Sequence, residues 1–332
     1  MDHNDAGSSL TRHRVSGKVL VTTPTFGRYA HEPREVLIAD GLSVDQPWGH
    51  AQPPSRDAIA EQARDAVAMI VGLDTVDADM FDAAPDLRVV AKHGVGFDNI
   101  AVDAARKRGI EVVFAPGSNS NAVAELTFGL ILDVTRGIST TDRAVREHRW
   151  VKNFGTELAG RTLGVIGYGR IGRLVAGYAA AFGMRVLAHD PWVSDADVAR
   201  AGHVPSSLEN CITSADVLTL HVPAIAGDPP LLDRARLQSM RPGSIVVNAS
   251  RGGLVDEDAL AQLLHDGHLA GAGLDAFSTE PLGESPLRDA PGVVLTSHIG
   301  ACTREANRTM GVTVAEDVSR VLRGLPAMNS AL

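Results

Sequence analysis

The sequence predicts an α/β protein built from two lobes, each a parallel sheet covered by helices. Short runs of apolar and β-branched residues alternate with amphipathic stretches, which is typical of parallel strands buried on both faces. The alternation occurs in two series, separated by the turn-forming segment 115–121. The chain has 332 residues, and a single hydrophobic core usually stops growing at ~250–300 residues. Two lobes are therefore expected.

The first series predicts four strands and one helix after a polar tail. Residues 1–17 form the tail, and the helix covers Val102–Lys107. The strands are predicted at 19–22, 68–71, 88–91 and 111–114. All four are short and almost wholly apolar, as strands covered on both faces must be.

The segment 115–121 leads into a helix that we expect to join the two lobes. Its apolar residues fall near helical spacing, and Gly137 ends the run. These apolar residues are Val123, Leu126, Phe128, Leu130, Ile131 and Val134. Together with Trp150 they offer more apolar surface than one lobe should bury, which predicts a two-fold homodimer formed through residues 121–150.

The second series predicts six further strands and a closing helix. The strands are predicted at 163–166, 185–188, 217–220, 244–247, 269–273 and 293–296. The last amphipathic stretch predicts a helix over Arg304–Leu322.

The charge balance argues against two classes of partner. Lys and Arg number 31 against 40 Asp and Glu, for a formal net charge of −9, and no run of basic residues occurs. Nucleic acids and anionic membranes are bound through basic patches. We therefore expect neither as a main partner.

The cysteines and the N-terminal residues predict the compartment. Cys211 and Cys302 are far apart and lack a Cys or His at ligand spacing, so neither a disulfide framework nor a structural zinc is predicted. The polar tail has no apolar segment of the kind that a signal peptide needs, and the longest apolar runs have the length of a strand. These features favour a reducing cytoplasm.

A glycine motif follows the apolar strand at 163–166 and opens a helical stretch. It consists of Gly167, Gly169 and Gly172, with Arg170 and Ile171 between the last two. In this context the first glycine makes a tight turn, the second lets the backbone approach a pyrophosphate, and the third allows close packing of helix on strand. The motif predicts a dinucleotide site.

Asp190 follows the next predicted strand and lies 18 residues beyond Gly172 in the printed sequence. A carboxylate at this place accepts the ribose hydroxyls of adenosine and repels a 2′-phosphate. The predicted cofactor is therefore NAD rather than NADP.

Three polar residues that follow later strands suit the reduction of a 2-oxo acid. Arg251 follows the strand at 244–247, and its planar guanidinium can grip a carboxylate and the adjacent carbonyl oxygen. Glu280 and His298 also follow strand ends. A Glu beside an imidazole favours the protonated imidazole and fixes its tautomer, which makes the His a competent general acid.

Taken together, the motifs resemble the D-isomer-specific 2-hydroxyacid dehydrogenases, particularly their phosphoglycerate dehydrogenase-like branch. The resemblance spans nearly the whole chain. Besides the glycine motif, it is carried by the stretches 92–100, 115–117 with Asn121, 124–127, 221–223, 247–253, 274–275 with 280–281, and 297–300.

The resemblance implies an architecture and a set of residue roles. A flavodoxin-like substrate-binding domain would comprise 18–118 and 300–332, with a Rossmann NAD-binding domain at 119–299 inserted into it, and the cleft between them would close on NAD and substrate. Arg251, Glu280 and His298 would be the catalytic residues, and the amides of Val95 and Gly96 would hold the substrate carboxylate together with Arg251 and His298. The implied cofactor-binding residues are Gly167, Gly169, Arg170, Ile171, Gly172, Asp190, His221, Pro223, Asp275 and Gly300, with Asp275 contacting the nicotinamide amide.

One departure from the family pattern bears on the substrate. Phosphoglycerate-using members tend to carry a basic residue just after the strand aligned with 68–71, whereas this chain has Gly72-Leu73-Asp74. A missing cation and an added anion disfavour a phosphorylated substrate.

His93 precedes Gly94, where many members have a small residue, and it is either a second acid or a residue that shapes the pocket. The second interpretation is favoured because His93 has no partner nearby in the sequence.

We therefore predict an NAD-dependent 2-hydroxyacid dehydrogenase that transfers a hydride between nicotinamide C4 and C2 of a small 2-oxo acid. Hydroxypyruvate, glyoxylate, a longer or sulfonated 2-oxo acid and phosphohydroxypyruvate all remain open as substrates. Two alternatives are an NAD-sensing binding protein of the corepressor type and an NAD-dependent enzyme of another reaction, such as formate oxidation.

Overall fold

The computed structural model describes residues 15–49, 54–225 and 227–332. The chain divides into two compact units: unit 1 comprises the residues up to Asn119 together with Thr303–Leu332, and unit 2 comprises Ser120–Cys302. Each unit contains one sheet, and every strand pair in both sheets is parallel. The predicted fold class is therefore confirmed. Most of the predicted polar tail lies outside the described residues.

Unit 1 is a five-stranded sheet in the order β2-β1-β3-β4-β5 with helices on its faces. The strands are β1 Lys18–Val21, β2 Ser43–Asp45, β3 Ala66–Val71, β4 Val89–Lys92 and β5 Glu111–Val113. The helices are α1 Glu32–Ala39, α2 Arg56–Ala63, α3 Ala78–Ala83, α4 Val102–Lys107 and, at the end of the chain, α12 Arg304–Leu322. The strand order reverses between β1 and β3, which is the point where a sheet of this kind binds ligands at its carboxyl edge.

Unit 2 is a seven-stranded sheet in the order β12-β11-β10-β9-β6-β7-β8. The strands are β6 Thr162–Ile166, β7 Arg185–His189, β8 Val204–Pro205, β9 Val217–Leu220, β10 Ile245–Asn248, β11 Gly271–Leu274 and β12 Val293–Leu295. The helices are α5 Ser120–Arg136, α6 Ile138–Arg146, α7 Arg170–Ala181, α8 Asp195–Arg200, α9 Leu208–Ser214, α10 Arg234–Ser239 and α11 Glu257–His265, and a 3-10 turn covers Pro286–Arg288. The order reverses between β6 and β9, beside the glycine motif.

The apolar residues of α5 pack inside unit 2, which corrects the reasoning behind the predicted dimer. Val123, Phe128, Leu130 and Ile131 are buried in one hydrophobic cluster, against which Leu126 and Val134 are also packed. Strand β11 makes room for the helix through its glycines, since a Cβ on Gly271 would lie 2.5 Å from Val134 Cγ1 and one on Gly273 would lie 2.9 Å from Leu130 Cβ. Of the residues that motivated the dimer, only Trp150 is exposed.

Candidate active site

The glycine motif forms the connection between β6 and α7 and has the shape of a phosphate cradle. Gly167 has φ +92°, and a Cβ there would overlap the carbonyl of His221, while a Cβ on Gly172 would overlap the carbonyl of Gly167. By contrast, Gly169 faces open space and precedes α7 with no side chain capping the helix. The close contacts at Gly167 and Gly172 leave no room for side chains. The open space at Gly169 leaves the N-terminus of α7 accessible to a phosphate.

Asp190 lies at the carboxyl end of β7 and holds the glycine loop in place. Its carboxylate accepts hydrogen bonds from the amides of Tyr168 (2.7 Å) and Trp192 (2.8 Å), one on each oxygen. Each carboxylate oxygen retains a second acceptor position, which a ribose hydroxyl could use. A cavity of about 340 Å³ lies here, with Asp190, Asp195 and Ser206 among its lining residues.

These residues fit NAD. The cradle around Gly169, the open N-terminus of α7 and the carboxylate beside a cavity occur at one edge of one sheet, on the elements that a dinucleotide requires. Arg170 and Ile171 begin α7, and Pro223 lies in the segment after β9. Gly300 donates its amide to Asp275 (2.8 Å).

His221 follows β9 at the point where the strand order of unit 2 reverses. Its Nε2 lies 3.0 Å from Thr219 Oγ1, and its Nδ1 has no hydrogen-bond partner among the described residues. Burial lowers the pKa of His221 to about 3, so the ring is neutral at neutral pH. A neutral ring adds no charge to the edge that carries the glycine loop.

Glu280 and His298, which follow β11 and β12, are brought together as a pair. Glu280 Oε2 lies 2.7 Å from His298 Nδ1, and Oε1 accepts the amide of Phe277 (3.0 Å). The imidazole is partly exposed, with 44% of its side-chain surface accessible. Because Nδ1 is engaged by a carboxylate, Nε2 is the ring nitrogen left for a reacting group. This is the arrangement of a general acid with its orienting partner.

Arg251 follows β10 in a loop organised by the buried Asn248. Asn248 Nδ2 donates to the Arg251 carbonyl (2.7 Å), and Oδ1 accepts from the amide (3.1 Å) and hydroxyl (2.7 Å) of Ser250. The Arg251 guanidinium is half-buried and donates through Nη1 to the Ser250 carbonyl (2.8 Å). The sequence identifies Arg251, but only the structure shows that Asn248 shapes its loop.

Asp275 fixes the loop that carries His298. It is 1% exposed, and its carboxylate accepts from Thr296 Oγ1 (2.6 Å), Ile299 N (2.8 Å) and Gly300 N (2.8 Å). Three donors are what a buried carboxylate needs in place of water. Asp275 therefore holds residues both before and after His298. The sequence does not indicate this role, because the donors are 21 to 25 residues away from Asp275. The contact of Asp275 with a nicotinamide amide stays a prediction.

Val95 and Gly96 lie in unit 1, in the loop that follows β4. Among the described residues their amide nitrogens have no hydrogen-bond partner. The loop is held at both ends by one carbonyl, since the buried Lys92 Nζ (2.5 Å) and Asn99 Nδ2 (3.2 Å) both donate to Gly72 O. Lys92 also donates to Asn99 Oδ1 (2.6 Å). No local sequence pattern indicates these contacts, because Gly72 lies 20 residues from Lys92 and 27 from Asn99.

His93 is buried in unit 1, which argues against its being a second acid. Burial lowers its pKa to about 4, and the nearby Asn307 carbonyl opposes this effect only in part. The ring lies edge-on to Phe26, and its Nδ1 is 3.4 Å from Thr25 Oγ1. A Cβ on Gly311 of α12 would approach Nε2 to 3.6 Å. The contacts support the interpretation of His93 as a residue that shapes its surroundings.

The described part of the chain contains neither a membrane-spanning helix nor a metal-binding cluster. No helix there is both long enough and apolar enough to cross a membrane. No group of three or more His, Cys, Asp or Glu side chains in the same residues could hold a metal ion.

Comparison with known proteins identifies the family. Residues 128–300 match the model of the D-isomer specific 2-hydroxyacid dehydrogenase, NAD binding domain. The chain is 44% identical over 302 residues to a D-3-phosphoglycerate dehydrogenase of Mycobacterium tuberculosis, a match that covers 87% of this chain and 57% of the relative. The chain thus spans little more than half the length of this curated relative.

Two solved structures agree with this match. The TT0316 protein from Thermus thermophilus superposes with a TM-score of 0.85 at 36% identity, covering 95% of this chain and 100% of that one. A glyoxylate reductase from Paecilomyes thermophila gives 0.83 at 27% identity, covering 95% and 98%. The family model supports NAD as cofactor, as predicted. The chain therefore belongs to the D-isomer specific 2-hydroxyacid dehydrogenase family.

Proposed function

We propose that the chain is an NAD-dependent dehydrogenase that interconverts a small 2-oxo acid and the corresponding 2-hydroxy acid. The observation that carries the proposal is the 2.7 Å contact between Glu280 and His298 in unit 2, which also contains the glycine cradle. An acid with its orienting carboxylate and a dinucleotide cradle are the two parts that such a reaction needs. Similar proteins are named dehydrogenases and reductases, which favours turnover over a corepressor role.

The proposed chemistry divides the work among three side chains. NADH supplies the hydride when it is bound, and the other product is NAD⁺. Arg251 grips the carboxylate and polarises the C2 carbonyl, because its planar fork can make two parallel hydrogen bonds. His298 delivers a proton from Nε2 to the carbonyl oxygen, while Glu280 accepts the Nδ1–H bond and stabilises the imidazolium. In the direction of oxidation His298 takes the proton back.

The proposed substrate is a small, unphosphorylated 2-oxo acid of the hydroxypyruvate or glyoxylate kind. The amides of Val95 and Gly96, which have no partner among the described residues, are proposed donors to its carboxylate. The carboxyl edge of β3 is followed by Asp74, which accepts from Thr22 Oγ1 (2.5 Å) and Gly72 N (3.3 Å). An anion at this edge disfavours a phosphate nearby. Relatives named D-3-phosphoglycerate dehydrogenase keep phosphohydroxypyruvate among the substrates to be tested.

Three further parts of the proposal concern organisation and location. Unit 2 is proposed to bind NAD and unit 1 the substrate; their boundaries in the structure, Asn119 and Thr303, lie close to those expected at 118 and 300. A homodimer is proposed because Trp150 and Phe154, on one segment of unit 2, are 85% and 93% exposed. A cytoplasmic location remains a proposal that rests on the cysteines.

The experiment that tests the function is a substrate panel. Purified protein is assayed for NADH oxidation with glyoxylate, hydroxypyruvate, phosphohydroxypyruvate and longer 2-oxo acids, with the His298→Ala variant as the control for contaminating activity. Turnover of an unphosphorylated acid that is lost in the variant supports the proposal. Binding of NADH with no turnover of any acid would contradict it and favour a sensor.

A further inference from the structure

Two loops of unit 2 that carry proposed catalytic side chains are in direct backbone contact. Residues 249–253 follow β10 and include Arg251, and residues 275–281 follow β11 and include Glu280. Gly252 lies against the peptide between Phe277 and Ser278. A Cβ at position 252 would overlap the Phe277 carbonyl and lie 2.5 Å from Ser278 N. The absence of a side chain at 252 therefore lets the two loops touch.

Carboxylates hold the two amides at this contact. Phe277 N donates to Glu280 Oε1 (3.0 Å), and the other oxygen of Glu280 binds His298 Nδ1. Ser278 N donates to Glu257 Oε1 (2.6 Å). Hydrogen bonds from amides to a carboxylate are roughly twice as strong as those between neutral groups. A change in the backbone at 277–278 would therefore disturb both the hydrogen bond to Glu257 and the placement of Glu280.

Glu257 also reaches the Arg251 loop, through the hydroxyl of Ser278. Ser278 Oγ donates to Glu257 Oε1 (2.9 Å) and accepts the amide of Gly253 (3.2 Å). Glu257 is the first residue of α11, whose apolar face is buried in the core of unit 2. The carboxylate is thus attached to a rigid element, while the loops that it holds are not regular structure.

We propose that Glu257, together with Ser278, is a positioning residue that fixes the Arg251 loop and the Glu280 loop in one relative arrangement. Glu257 touches neither substrate nor cofactor in this proposal, and it acts by setting the Glu280–His298 hydrogen bond. The catalytic consequence rests on the proposed function, whereas the effect on His298 does not.

A simpler role for Glu257 is to stabilise the N-terminus of α11, as an acidic residue in the first turn does. Asp258 is in the same turn, carries the same charge, is exposed and has no hydrogen-bond or ion-pair partner among the described residues. Replacing Asp258 therefore removes the helix effect alone. It is the matched control for Glu257.

The test compares Glu257→Ala, Glu257→Gln, Ser278→Ala and Asp258→Ala. Two measurements are made: kcat and KM for 2-oxo acid reduction, and the Nδ1–H proton signal of His298 in ¹⁵N-histidine NMR, assigned by its loss in His298→Ala. We expect Glu257→Ala to lower kcat about 10- to 100-fold, because small misplacements at a reacting centre have effects of this size. The KM for NADH should be unchanged, and the His298 signal should broaden or shift.

The other variants separate positioning from helix stability. Glu257→Gln keeps an oxygen that accepts from Ser278 and should recover most of kcat and the His298 signal. Asp258→Ala should leave both unchanged. Ser278→Ala lies in an exposed loop and should lower kcat by about threefold, the effect of one weakened hydrogen bond. If Glu257→Ala does not fold, the result for Ser278→Ala decides whether the positioning proposal holds.

Three results would overturn the proposal. The first is a wild-type kcat and an unaltered His298 signal in Glu257→Ala, and the second is an equal loss of kcat in Asp258→Ala. The third applies if Glu257→Ala is unfolded, and it is a Ser278→Ala variant with wild-type kcat and His298 signal. The outcome remains separable from that of the proposed function. If the wild-type protein reduces no 2-oxo acid, the proposed function fails, and the NMR comparison still tests whether Glu257 positions His298.

Discussion

The carboxyl edges of the two sheets contain similar residue types but use them differently. At the edge of unit 1, Lys92 and His93 are 6% and 7% exposed, and Lys92 donates to a carbonyl and a side-chain amide of its own unit. At the edge of unit 2, Arg251 is half-buried and His298 is exposed, although Glu280 contacts the imidazole. One edge therefore uses its cation and imidazole to hold its own loops. At the other edge the imidazole is exposed and paired with a carboxylate, and the guanidinium is half-buried and donates to the Ser250 carbonyl.

Residue type and position on a parallel sheet therefore do not by themselves identify a catalytic group. Both His93 and His298 follow a strand directly or after a short turn. Burial nevertheless lowers the pKa of His93 to about 4, and no carboxylate among the described residues contacts its ring. His298 has both a carboxylate partner and access to solvent. Exposure together with a paired carboxylate distinguishes a proton donor from a packing residue.

Loss of His298 should reduce activity more than any other substitution considered for the two sheet edges. His298→Ala should lower kcat by roughly 10²–10⁴ because the proton donor is removed. The affinity for NADH, measured by fluorescence titration, should change little. His93→Gln is the comparison variant, and it should retain most of kcat if the imidazole of unit 1 has no part in proton transfer. Equal losses in the two variants would contradict the assignment.

In the proposed function Arg251 holds the substrate in the ground state as well as in the transition state, so its loss should act differently from that of His298. Arg251→Ala is expected to raise the KM for the 2-oxo acid and to lower kcat, whereas His298→Ala should act mainly on kcat. Arg251→Lys should rescue only in part, since an ammonium cannot reproduce the bidentate fork. Steady-state kinetics at saturating NADH give both parameters. Full rescue by Lys would show that charge alone suffices.

Titration of His93 should affect stability rather than catalysis. Its pKa in the folded protein is about 4, below the ordinary value of 6.5, so the folded state favours the neutral ring. The corresponding stability is fully present above pH 6.5 and is lost as the pH falls from 6.5 towards 4. The gap between these two pKa values corresponds to roughly 3 kcal/mol.

The measurement is urea unfolding of wild type and His93→Gln at pH 7 and pH 4.5. His93→Gln should lose less stability between these two pH values than wild type does, because Gln cannot titrate. His31→Gln is the control, since His31 is exposed and its side chain makes no capping hydrogen bond at α1. A wild-type loss matched by His93→Gln would mean that other groups account for the acid sensitivity.

The sequence alone predicted much of the fold. Helices α4 and α12 begin and end at the predicted residues, because their apolar spacing and flanking residues are unambiguous. Strands β2 and β8 were not predicted: Ser43–Asp45 and Val204–Pro205 are very short and lie at the edges of the sheets, where one partner strand suffices and little burial is needed.

In the candidate site, too, some residues could be predicted from local sequence and others could not. Local motifs identified the glycine loop, Arg251, Glu280 and His298, because each follows a recognisable strand. Sequence could not identify Asp275, Lys92 or Glu257 in their positioning roles, since each bonds to residues that only the tertiary fold brings near. The burial of the apolar residues of α5 within unit 2 could not be predicted for a related reason. The glycines of β11 create a groove for α5 that a list of apolar residues does not reveal.

A more modest change is expected in cofactor preference, which tests whether a charge at the edge of unit 2 acts on a ligand. Asp190 should make NADH preferred over NADPH by at least about tenfold, or ~1.4 kcal/mol, because its carboxylate repels a 2′-phosphate. In the double variant Asp190→Ser with Trp192→Arg, the ratio of kcat/KM values should shift by at least about tenfold towards NADPH. Activity with NADH should also fall, since Asp190 holds the amide of Tyr168 in the glycine loop. Trp192→Arg alone is the control and should shift the ratio less, because the repelling carboxylate remains. Equal use of NADH and NADPH by the wild-type protein would mean that Asp190 serves only to hold the loop, and that this edge, like that of unit 1, uses its charge internally.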